Sequence, residues 1–423
     1  MFNIFNKNKL SKEEKQFNQQ FSSGADDIIL SKNLRKDLNN KNLNNNICVI
    51  GQAGTGKGRN YIIPNLLQAN SSFVIFEEHS HEYNKIADFL KQEKGYNIQV
   101  FDLQNPENSI YYNPLSFIKD EDDINRILDC LYTNIDIKEK DNFLNDTEKM
   151  LLKFIILYLI EKKEHLTFPT IIKYLEIIGN SNEEFFRFFE DIETTITNRS
   201  CLNLAKIIKT LPQASKSVAA IAIICKIHPF VTGEITKIIN DTTLNINALT
   251  ESKSAIFIVA PIFKEYFKPI VAMLYSEIFE HLHQTIKPNN KPAHHIQFIM
   301  DDFVNMCYFS NFNQLMAGSR IKNIDFTILL QSISQLKAKF PDTWKIILDC
   351  CDIKIFLGAS SHETLNYFCN LIKQNITIND LKTMNMSDCI VFTHKTSGIL
   401  CDKYILEEHP DYQNVIKVNT QCN

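Results

Sequence analysis

The chain lacks any apolar run long enough to cross a membrane. Its longest apolar stretches, MLLKFIILYLI and SVAAIAIIC, fall short of the roughly 18 residues that a spanning helix needs. The N-terminus, MFNIFNKNKLSKEEKQFNQQ, also lacks the apolar centre and the small-residue cleavage site of a secretion signal. We therefore expect a cytoplasmic protein, which works at the inner face of the cell membrane only if a partner chain holds it there.

An excess of positive charge is missing as well. Lys and Arg number 45 against 49 Asp and Glu, so the formal net charge is -4. This balance argues against a uniformly basic nucleic-acid-binding protein, although it leaves room for a local basic channel. The 11 cysteines show no repeated spacing, and the clusters HSHE, HLH and HH lack the spaced ligands of a structural zinc site. The simplest interpretation is a reducing compartment with cysteines that serve as small apolar residues.

What the sequence does contain is enough apolar material for a large core in two domains, since 44% of its 423 residues are hydrophobic. Short β-branched runs indicate buried parallel strands. A helical pattern, YNKIADFLKQEKG, separates two of these runs. The alternation of strands and helices predicts an α/β fold with a parallel sheet and right-handed crossovers. The predicted strands cover residues 47–51, 72–77, 97–103, 254–262, 295–302, 325–331 and 353–359.

The middle of the chain differs in character from both ends. Over residues 120–250, apolar residues recur at helical spacing and no clear strand pattern is present. We therefore predict an inserted all-helical domain at 120–250, within an α/β domain made of residues 27–119 and 251–423. Residues 1–26 form a polar N-terminal arm. Near the C-terminus, CIVFTHKTSGILCDKY predicts a β-hairpin around Ser397 and Gly398.

One glycine-rich segment carries a phosphate-binding pattern. GQAGTGKG fits G-x-x-x-x-G-K between a predicted strand and a predicted helix. The glycines let backbone N–H groups turn inward around phosphate oxygens, and the following helix adds the positive end of its dipole. The alternative is a glycine turn with a capping lysine, but strand, loop and helix together favour the phosphate site. The residues predicted to bind nucleotide are Gly51, Gly54, Thr55, Gly56, Lys57, Gly58 and Arg59.

Acidic and polar residues end two further strands. In IQFIMDD, Asp301 is predicted to hold Mg²⁺ through water, and Asp302 occupies the position of a general base that polarises the attacking water. Gln331 ends FTILLQ, where an amide can sense the γ-phosphate or orient water. Arg320 is a candidate arginine finger for a neighbouring subunit. An acidic turn, a helix cap and a surface arginine remain the alternatives on pattern alone.

Several segments resemble one family, the coupling proteins of type IV secretion, which are conjugative DNA-transfer ATPases of TraG and TraD type. The resemblance covers residues 27 to 412, and the stretches ILLQSISQL and ANSS are quite specific to the family. The segments that carry it are GKGRNYIIPNLLQANSS, YNIQVFDLQNPENSIYYNPLSFI, DNFLNDTEKMLLKFIILYL, DDFVNMCYFSNFNQLMAGSRIKNIDFTILLQSISQLKAKF, WKIILDCCDIKIFLGASSHETLNYF and KYILEEHPDY.

The resemblance implies a RecA-like P-loop NTPase domain with an inserted all-helical domain, and ATP and Mg²⁺ as cofactors. It implies homo-hexamers that hydrolyse ATP between subunits and hand relaxase-bound DNA to a membrane-embedded secretion channel. DNA, relaxase or relaxosome proteins and channel components are thus the implied partners. By the same analogy Lys57 binds phosphate, Asp301 and Asp302 form the second acidic motif, Gln331 is the motif glutamine and Arg320 is a candidate trans-acting arginine.

The sequence departs from the family pattern around this one site. Gly58 lacks the hydroxyl that normally ligates Mg²⁺, and Thr55 points elsewhere in the usual loop geometry. Asp302 replaces the usual Glu and is one methylene shorter, and a misplacement near 1 Å costs on the order of a hundredfold in rate. The family's turn after the SSFVIF strand becomes EEHSHEY, in which Glu77 and Glu82 keep the acids. The N-terminal membrane helices of many members are also missing.

Three functions therefore stay open. The first is an ATP-driven coupling protein that moves or recruits DNA for transfer through a conjugation channel. The second is a non-hydrolysing P-loop adaptor that binds nucleotide weakly and recruits substrate, which Gly58 and the EEHSHEY turn favour. The third is a P-loop translocase that moves DNA outside conjugation, in a mobile element or a virus.

Overall fold

The strands form two sheets, and most of them lie in a single large one. The computed structural model describes residues 11–78, 80–135, 142–180, 183–287, 289–372 and 376–421. The strands in these residues are β1 (Ile28–Ile29), β2 (Arg35–Lys36), β3 (Ile47–Gly51), β4 (Ser71–Glu77), β5 (Asn97–Asp102), β6 (Ser254–Val259), β7 (His295–Met300), β8 (Ile324–Leu330), β9 (Ile353–Gly358), β10 (Asp388–Thr393) and β11 (Thr396–Asp402).

Helices connect the strands and fill the middle of the chain. A short π-helix, Gly58–Ile62, precedes α2. The α-helices are α1 (Lys12–Phe21), α2 (Ile63–Leu67), α3 (Ser80–Lys94), α4 (Glu121–Thr133), α5 (Asn142–Lys162), α6 (Phe168–Asn180), α7 (Glu183–Thr195), α8 (Arg199–Thr210), α9 (Gln213–Ile227), α10 (Ile235–Ile239), α11 (Ala248–Glu251), α12 (Lys268–Thr285), α13 (Phe303–Met306), α14 (Phe312–Ser319), α15 (Ile333–Lys339), α16 (Trp344–Asp349), α17 (His362–Leu371), α18 (Ile378–Lys382) and α19 (Tyr412–Gln421).

The large sheet has nine strands in the order β11-β10-β9-β3-β8-β7-β4-β6-β5. Every pair from β9 to β5 is parallel, whereas β10 is antiparallel to both β9 and β11. Each of the seven strands predicted from apolar runs is present, and the predicted α/β class with a mostly parallel sheet is confirmed. The parallel strands need crossover connections, and the helices between them supply these on both faces of the sheet.

Side chains alternate between the two faces of the sheet, as the two-residue period of a strand requires. In β3, Cys48 and Ile50 join a core on one face, and Ile47 and Val49 join a second core on the other. The first core continues without a break into the helices between β5 and β6. The second is covered by α1, α2, α3 and α19. Burial of both faces explains why these strands read as continuous apolar runs rather than as alternating ones.

The described residues between β5 and β6 form helices only, in agreement with the predicted helical character of this part of the chain. A buried ion pair links its first helix to α12, which follows β6. Arg126 of α4 donates to Asp123 Oδ1 at 2.8 Å and to Glu277 Oε2 of α12 at 2.7 Å. The division into domains at 120–250, and the polar arm at 1–26, stay predictions.

The C-terminal hairpin differs from the prediction in the place of its turn. The chain reverses at residues 394–395, between Thr393 and Thr396, and not at Ser397 and Gly398. The hydroxyl of Thr393 accepts hydrogen bonds from the N–H groups of residues 395 and 396, at 3.2 and 3.1 Å, and so closes the turn. Gly398 instead lies within β11 with a φ of 98°, beside the ring of Phe392, where a Cβ would be crowded. The glycine serves an irregular strand and not a turn.

Two smaller differences concern the end of one strand and a pair of short strands. The strand predicted at 254–262 stops at Val259, because the following Pro261 has no N–H to donate to a sheet. The Asn-rich region around 32–46 includes β2, which pairs with β1 in a two-stranded sheet that the sequence pattern did not predict.

Among the helices in the described ranges, none is by itself long and apolar enough to cross a membrane. One pair, Arg199–Thr210 and Gln213–Phe230, passes such a test by combined length and composition, but the two helices meet at a bend of 120°.

Candidate functional site

The sheet order brings the predicted site residues to one edge. Strands β3, β8 and β7 are adjacent and parallel, so their carboxyl ends lie side by side. Gly51 ends β3, Gln331 follows β8, and Asp301 and Asp302 follow β7. In open α/β sheets, ligands bind beyond the carboxyl ends of the strands. The glycine loop, the acidic pair and the glutamine therefore share one site.

The glycine loop has the backbone of an anion-binding nest. Gly54 and Gly56 have φ angles of 79° and 90°, a region that only glycine adopts without strain. A Cβ on Gly56 would collide with the side chain of Asn60, and a Cβ on Gly51 would collide with the hydroxyl of Thr55. Alternation of left-handed and other conformations points successive N–H groups to one side, which is how such loops hold phosphate.

Lys57 and Thr55 both bond within the loop. The Lys57 ammonium lies 3.0 Å from the carbonyl oxygen of Gly51. The Thr55 hydroxyl donates to the carbonyl of Gln52 at 2.8 Å, and the residue is only 4% exposed. Gly58 opens the π-helix and has no side chain to offer. The hydroxyl that usually follows the lysine in such loops is therefore replaced neither at position 58 nor by Thr55.

Asp302 and Gln331 are in direct contact. Gln331 Nε2 donates to Asp302 Oδ1 at 3.0 Å across the adjacent strand ends. Asp302 has a φ of 46°, a left-handed conformation that Asp adopts more readily than most residues. Its own N–H donates to Asp301 Oδ1 at 2.9 Å. The two acids and the glutamine thus form one hydrogen-bonded chain at the site.

The Asp301 carboxyl titrates well above its ordinary range. Burial raises its pKa from 3.8 to about 6, and the charges of Asp302 and Glu78 add to the rise, while the ammonium of Lys57 opposes it. Burial and a like charge both favour the neutral form, so a cation bound beside Asp301 would favour the ionised form.

The two predicted arginines lie away from this cluster. The Arg59 guanidinium forms an ion pair with Glu407, and the two side chains are 57% and 47% exposed. Arg320 begins the short helix that precedes β8, and its Nη2 donates to the carbonyl of Lys41 at 2.7 Å. The seven residues of β8 separate it from Gln331 by about 23 Å at 3.3 Å per residue. Arg320 is therefore too far from Gln331 to act at the site of its own subunit.

A set of contacts that the sequence pattern did not predict holds the loop from behind. Lys403 is only 5% exposed, and its ammonium donates to the carbonyls of Thr55 and Leu357, both at 3.0 Å. Asn60 Nδ2 donates to the carbonyl of Tyr404 at 2.7 Å. Lys403 lies directly after β11 in the sequence CDKY, but nothing in a single sequence places that strand end beneath residues 51–58.

The acidic turn after β4 is described only in part. Glu77 ends β4 and is 1% exposed, and Glu78 lies close enough to Asp301 to influence its pKa. His79 and the side chain of Glu82 lie outside the described residues. Across the part of the chain that the structure describes, no group of three or more His, Cys, Asp or Glu residues has an arrangement suited to a metal ion. The histidines of HLH and HH bond to protein atoms, among them His295 to Asp325 at 2.5 Å.

One protein family matches nearly the whole chain. The model of the family described as type IV secretory system conjugative DNA transfer matches residues 2–413. No curated protein matches the chain in sequence.

Solved structures of similar fold agree with that family. The bacterial conjugative coupling protein TrwBdeltaN70 in an unbound form has a TM-score of 0.66 at 11% identity, with 93% of this chain and 92% of that chain covered. TrwB in complex with ADP and Mg²⁺ has a TM-score of 0.65 at 12% identity, with 92% of each chain covered. VirB4 of Thermoanaerobacter pseudethanolicus has a TM-score of 0.57 at 12% identity, covering 91% of this chain and 97% of that one. At such low identity the likeness shows the fold alone, and it confirms the predicted RecA-like P-loop architecture.

Proposed function

The chain belongs to the type IV secretory system conjugative DNA transfer family, and on that premise we propose that it is an ATP-binding coupling protein that moves DNA toward a conjugation channel. The observation that carries this proposal is the convergence of three strand ends on one site. The glycine loop after β3, the acidic pair after β7 and the glutamine after β8 meet there, bonded as Gln331 to Asp302 to Asp301.

The residues of the loop fit a nucleotide. Gly54 and Gly56 have the left-handed backbone that turns N–H groups toward an anion, and the Gly51 and Gly56 positions have no room for a Cβ. Lys57 needs only to release the Gly51 carbonyl to reach the β- and γ-phosphates. TrwB has been solved with ADP and Mg²⁺ and with a non-hydrolysable ATP analogue, and we propose the same cofactors, ATP and Mg²⁺, for this chain.

The acidic residues fit the metal, although the usual hydroxyl is missing. Asp301 would hold Mg²⁺ through water, and the raised pKa of its carboxyl means that the cation must displace a proton near pH 6. Bound Mg²⁺ would neutralise charge that develops on the phosphates. Because Gly58 contributes no ligand, water must replace the hydroxyl at that position. We therefore expect a weaker dependence of nucleotide affinity on Mg²⁺ than in loops that carry Ser or Thr there.

Each of these side chains would have its own role in ATP hydrolysis. Asp302 would accept the proton of the attacking water, and Gln331 holds that carboxylate by its 3.0 Å hydrogen bond. Lys57 would fix the terminal phosphates. Arg320 of one subunit would reach the site of the next, which fits its distance from its own loop. Such a site is complete only between subunits, and we propose a homo-hexameric ring.

The proposed partners follow from the family. They are DNA, relaxase or relaxosome proteins, and membrane-embedded components of the secretion channel. The proposed place of work is the inner face of the cell membrane, where a partner chain holds the ring. The domain arrangement that serves this function is an α/β motor made of residues 27–119 and 251–423, with the helical insertion at 120–250.

A non-hydrolysing adaptor is the second candidate, and specific observations favour it. Gly58 supplies no metal ligand, and the Thr55 hydroxyl is occupied by Gln52. The carboxylate of Asp302 is one methylene shorter than that of Glu and is already bonded to Gln331. An adaptor of this kind would bind ATP at the same loop without turnover.

Steady-state ATP hydrolysis distinguishes the two candidates. The wild type, Lys57→Ala and Gly58→Ser are assayed with Mg²⁺, alone and with single- or double-stranded DNA. DNA-stimulated turnover in the wild type that is lost in Lys57→Ala supports the motor. ATP binding without turnover in the wild type, with turnover restored by Gly58→Ser, would establish the adaptor and contradict the motor. No ATP binding by the wild type would contradict both.

A further inference from the structure

A buried lysine at the end of β11 lies directly behind the glycine loop. Lys403 is 5% exposed, and its ammonium donates at 3.0 Å to the carbonyl of Thr55 in the loop and at 3.0 Å to the carbonyl of Leu357 in β9. Its own N–H donates to the carbonyl of Ser387 at 2.7 Å, which fixes the start of the side chain. The Lys403 side chain thus links the loop and β9 to the end of β11.

The loop is joined to its surroundings at two more points. The N–H of Gln52 donates to the carbonyl of Gly358 at 3.1 Å. Asn60 Nδ2 donates to the carbonyl of Tyr404, the residue after Lys403, at 2.7 Å. Carbonyl groups on the outer side of a phosphate nest point away from the anion, and a buried carbonyl must find a donor. Lys403 supplies that donor to Thr55.

The choice of lysine adds charge as well as a hydrogen bond. A hydroxyl could satisfy one carbonyl and an amide could satisfy two, but the ammonium satisfies two and also leaves a positive charge inside the protein, behind a loop that is built for anions. Burial lowers the pKa of this ammonium, and the neighbouring Cys389 and Asp388 oppose the change. A buried charge attracts a nearby anion more strongly than an exposed lysine does, because little water screens it.

We propose that Lys403 is a positioning residue for the nucleotide site, which holds the Thr55 carbonyl outward and places a fixed positive charge behind the phosphates of ATP. The proposal rests on the proposed ATP site and adds a residue that lies 346 positions after Lys57 in the sequence. Lys403 does not touch the nucleotide. It acts through the loop backbone and through its charge.

Hydrogen exchange and ATP affinity test the two parts of this role separately. The variants are Lys403→Met, which keeps an unbranched side chain but removes the charge and the donor, and Lys403→Arg, which keeps the charge. The matched control is Lys354→Met, because Lys354 also caps a backbone carbonyl, that of Cys351 at 2.7 Å, but at the far end of β9. We expect Lys403→Met to speed amide exchange in residues 52–58 at least tenfold without nucleotide, while α5 keeps its rates.

The ATP titration is the second measurement. Lys403→Met is expected to weaken ATP binding at least tenfold, Lys403→Arg less than Lys403→Met, and Lys354→Met less than twofold. Unchanged loop exchange together with unchanged ATP affinity in a folded Lys403→Met protein would overturn the proposal. If the wild type binds no ATP, the proposed function fails, whereas the exchange measurement still decides whether Lys403 holds the loop.

A labelling experiment on the wild type covers the case in which Lys403→Met does not fold. An amine-acylating reagent should modify Lys403 at least tenfold more slowly than the exposed Lys206 of α8. Added ATP should slow the modification of Lys403 further and leave Lys206 unchanged. Equal reactivity of the two lysines would contradict the buried contacts and with them the proposal.

Discussion

The amide of Gln331 donates a 3.0 Å hydrogen bond to Asp302 Oδ1 and so joins the ends of β8 and β7. If this contact orients the carboxylate toward water, Gln331→Leu should lower the rate of ATP hydrolysis by about 10²-fold and leave ATP affinity within threefold, since only the proton transfer is disturbed. Single-turnover kinetics and equilibrium binding separate the two effects. Gln335→Leu, in the first turn of α15, is the control. An equal loss of hydrolysis rate in both variants would contradict the orienting role of Gln331.

The raised pKa of Asp301 predicts a pH dependence of metal binding. With a pKa of about 6, the carboxyl is protonated below that pH, and the proton competes with Mg²⁺. The Mg²⁺-dependent part of ATP affinity should fall about tenfold for each pH unit below 6 and level off above it. Asp301→Asn should keep only the part of this dependence that comes from protonation of the ATP phosphate itself, and it should bind Mg²⁺ weakly at all pH values. Isothermal titration between pH 5 and 8 measures the effect, and a flat wild-type profile would contradict it.

The Asp301 carboxyl affects folding stability in the opposite direction, because stability falls as the pH rises whereas Mg²⁺ binding strengthens. Its folded pKa lies above the ordinary value of 3.8, so the folded protein binds the proton more tightly than the unfolded chain. The contribution of Asp301 to stability is therefore full below about pH 4 and is lost as the pH rises through 6. In the absence of nucleotide, Asp301→Asn should gain stability relative to the wild type over that interval.

The strands could be predicted from the sequence, but the contacts between their ends could not. Buried β-branched runs such as ICVIG mark strands because both faces of the sheet are covered, and the glycine pattern marks the loop because only glycine adopts its backbone. The bond from Gln331 to Asp302 depends on the order β3-β8-β7, which no local pattern contains. The contact of Lys403 with Thr55 joins residues far apart in sequence, so it required the fold.

Substitutions at Gly56 and Gly54 should have different effects on ATP binding and stability. Gly56→Ala should weaken ATP binding at least tenfold and lower the melting temperature, because the new Cβ meets Asn60 at a φ of 90° and would break the bond of Asn60 to Tyr404. Gly54→Ala should cost roughly 1–2 kcal/mol from its left-handed backbone alone, since open space surrounds it.

Gly24→Ala is the matched control for the glycine series. Its Cβ would meet nothing within 4 Å, and we expect little change in stability or affinity. Thermal melting and ATP titration of the three variants give the ranking. An order in which Gly24→Ala is as damaging as Gly56→Ala would contradict the loop geometry.

The ion pair between α4 and α12 predicts a large loss of stability. Arg126 bonds to Asp123 and Glu277, and the Glu277 side chain is only 4% exposed. Burial already raises the pKa of the Glu277 carboxyl, so removal of its partner leaves a costly buried charge. Arg126→Met should destabilise the protein by about 3–5 kcal/mol in urea unfolding.

An exposed pair on α7 supplies the comparison for Arg126. The side chains of Arg187 and Glu183 are 78% and 89% exposed, and Arg187→Met should change the free energy of unfolding by less than about 1 kcal/mol. Equal losses in the free energy of unfolding for Arg126→Met and Arg187→Met would mean that the ion pair between α4 and α12 stabilises the protein no more than an exposed pair does.

Equilibrium binding of ATP to the purified chain decides whether residues 51–58 hold a nucleotide. Isothermal titration with Mg²⁺ is run on the wild type, on Lys57→Ala and on Lys206→Ala, whose lysine is exposed on α8. We predict saturable binding by the wild type and by Lys206→Ala, and a loss of at least about a hundredfold in Lys57→Ala, as expected when a charge-assisted contact to phosphate disappears. Binding that is absent in the wild type, or that is equal in the wild type and Lys57→Ala, would contradict the assignment of residues 51–58 as the nucleotide site.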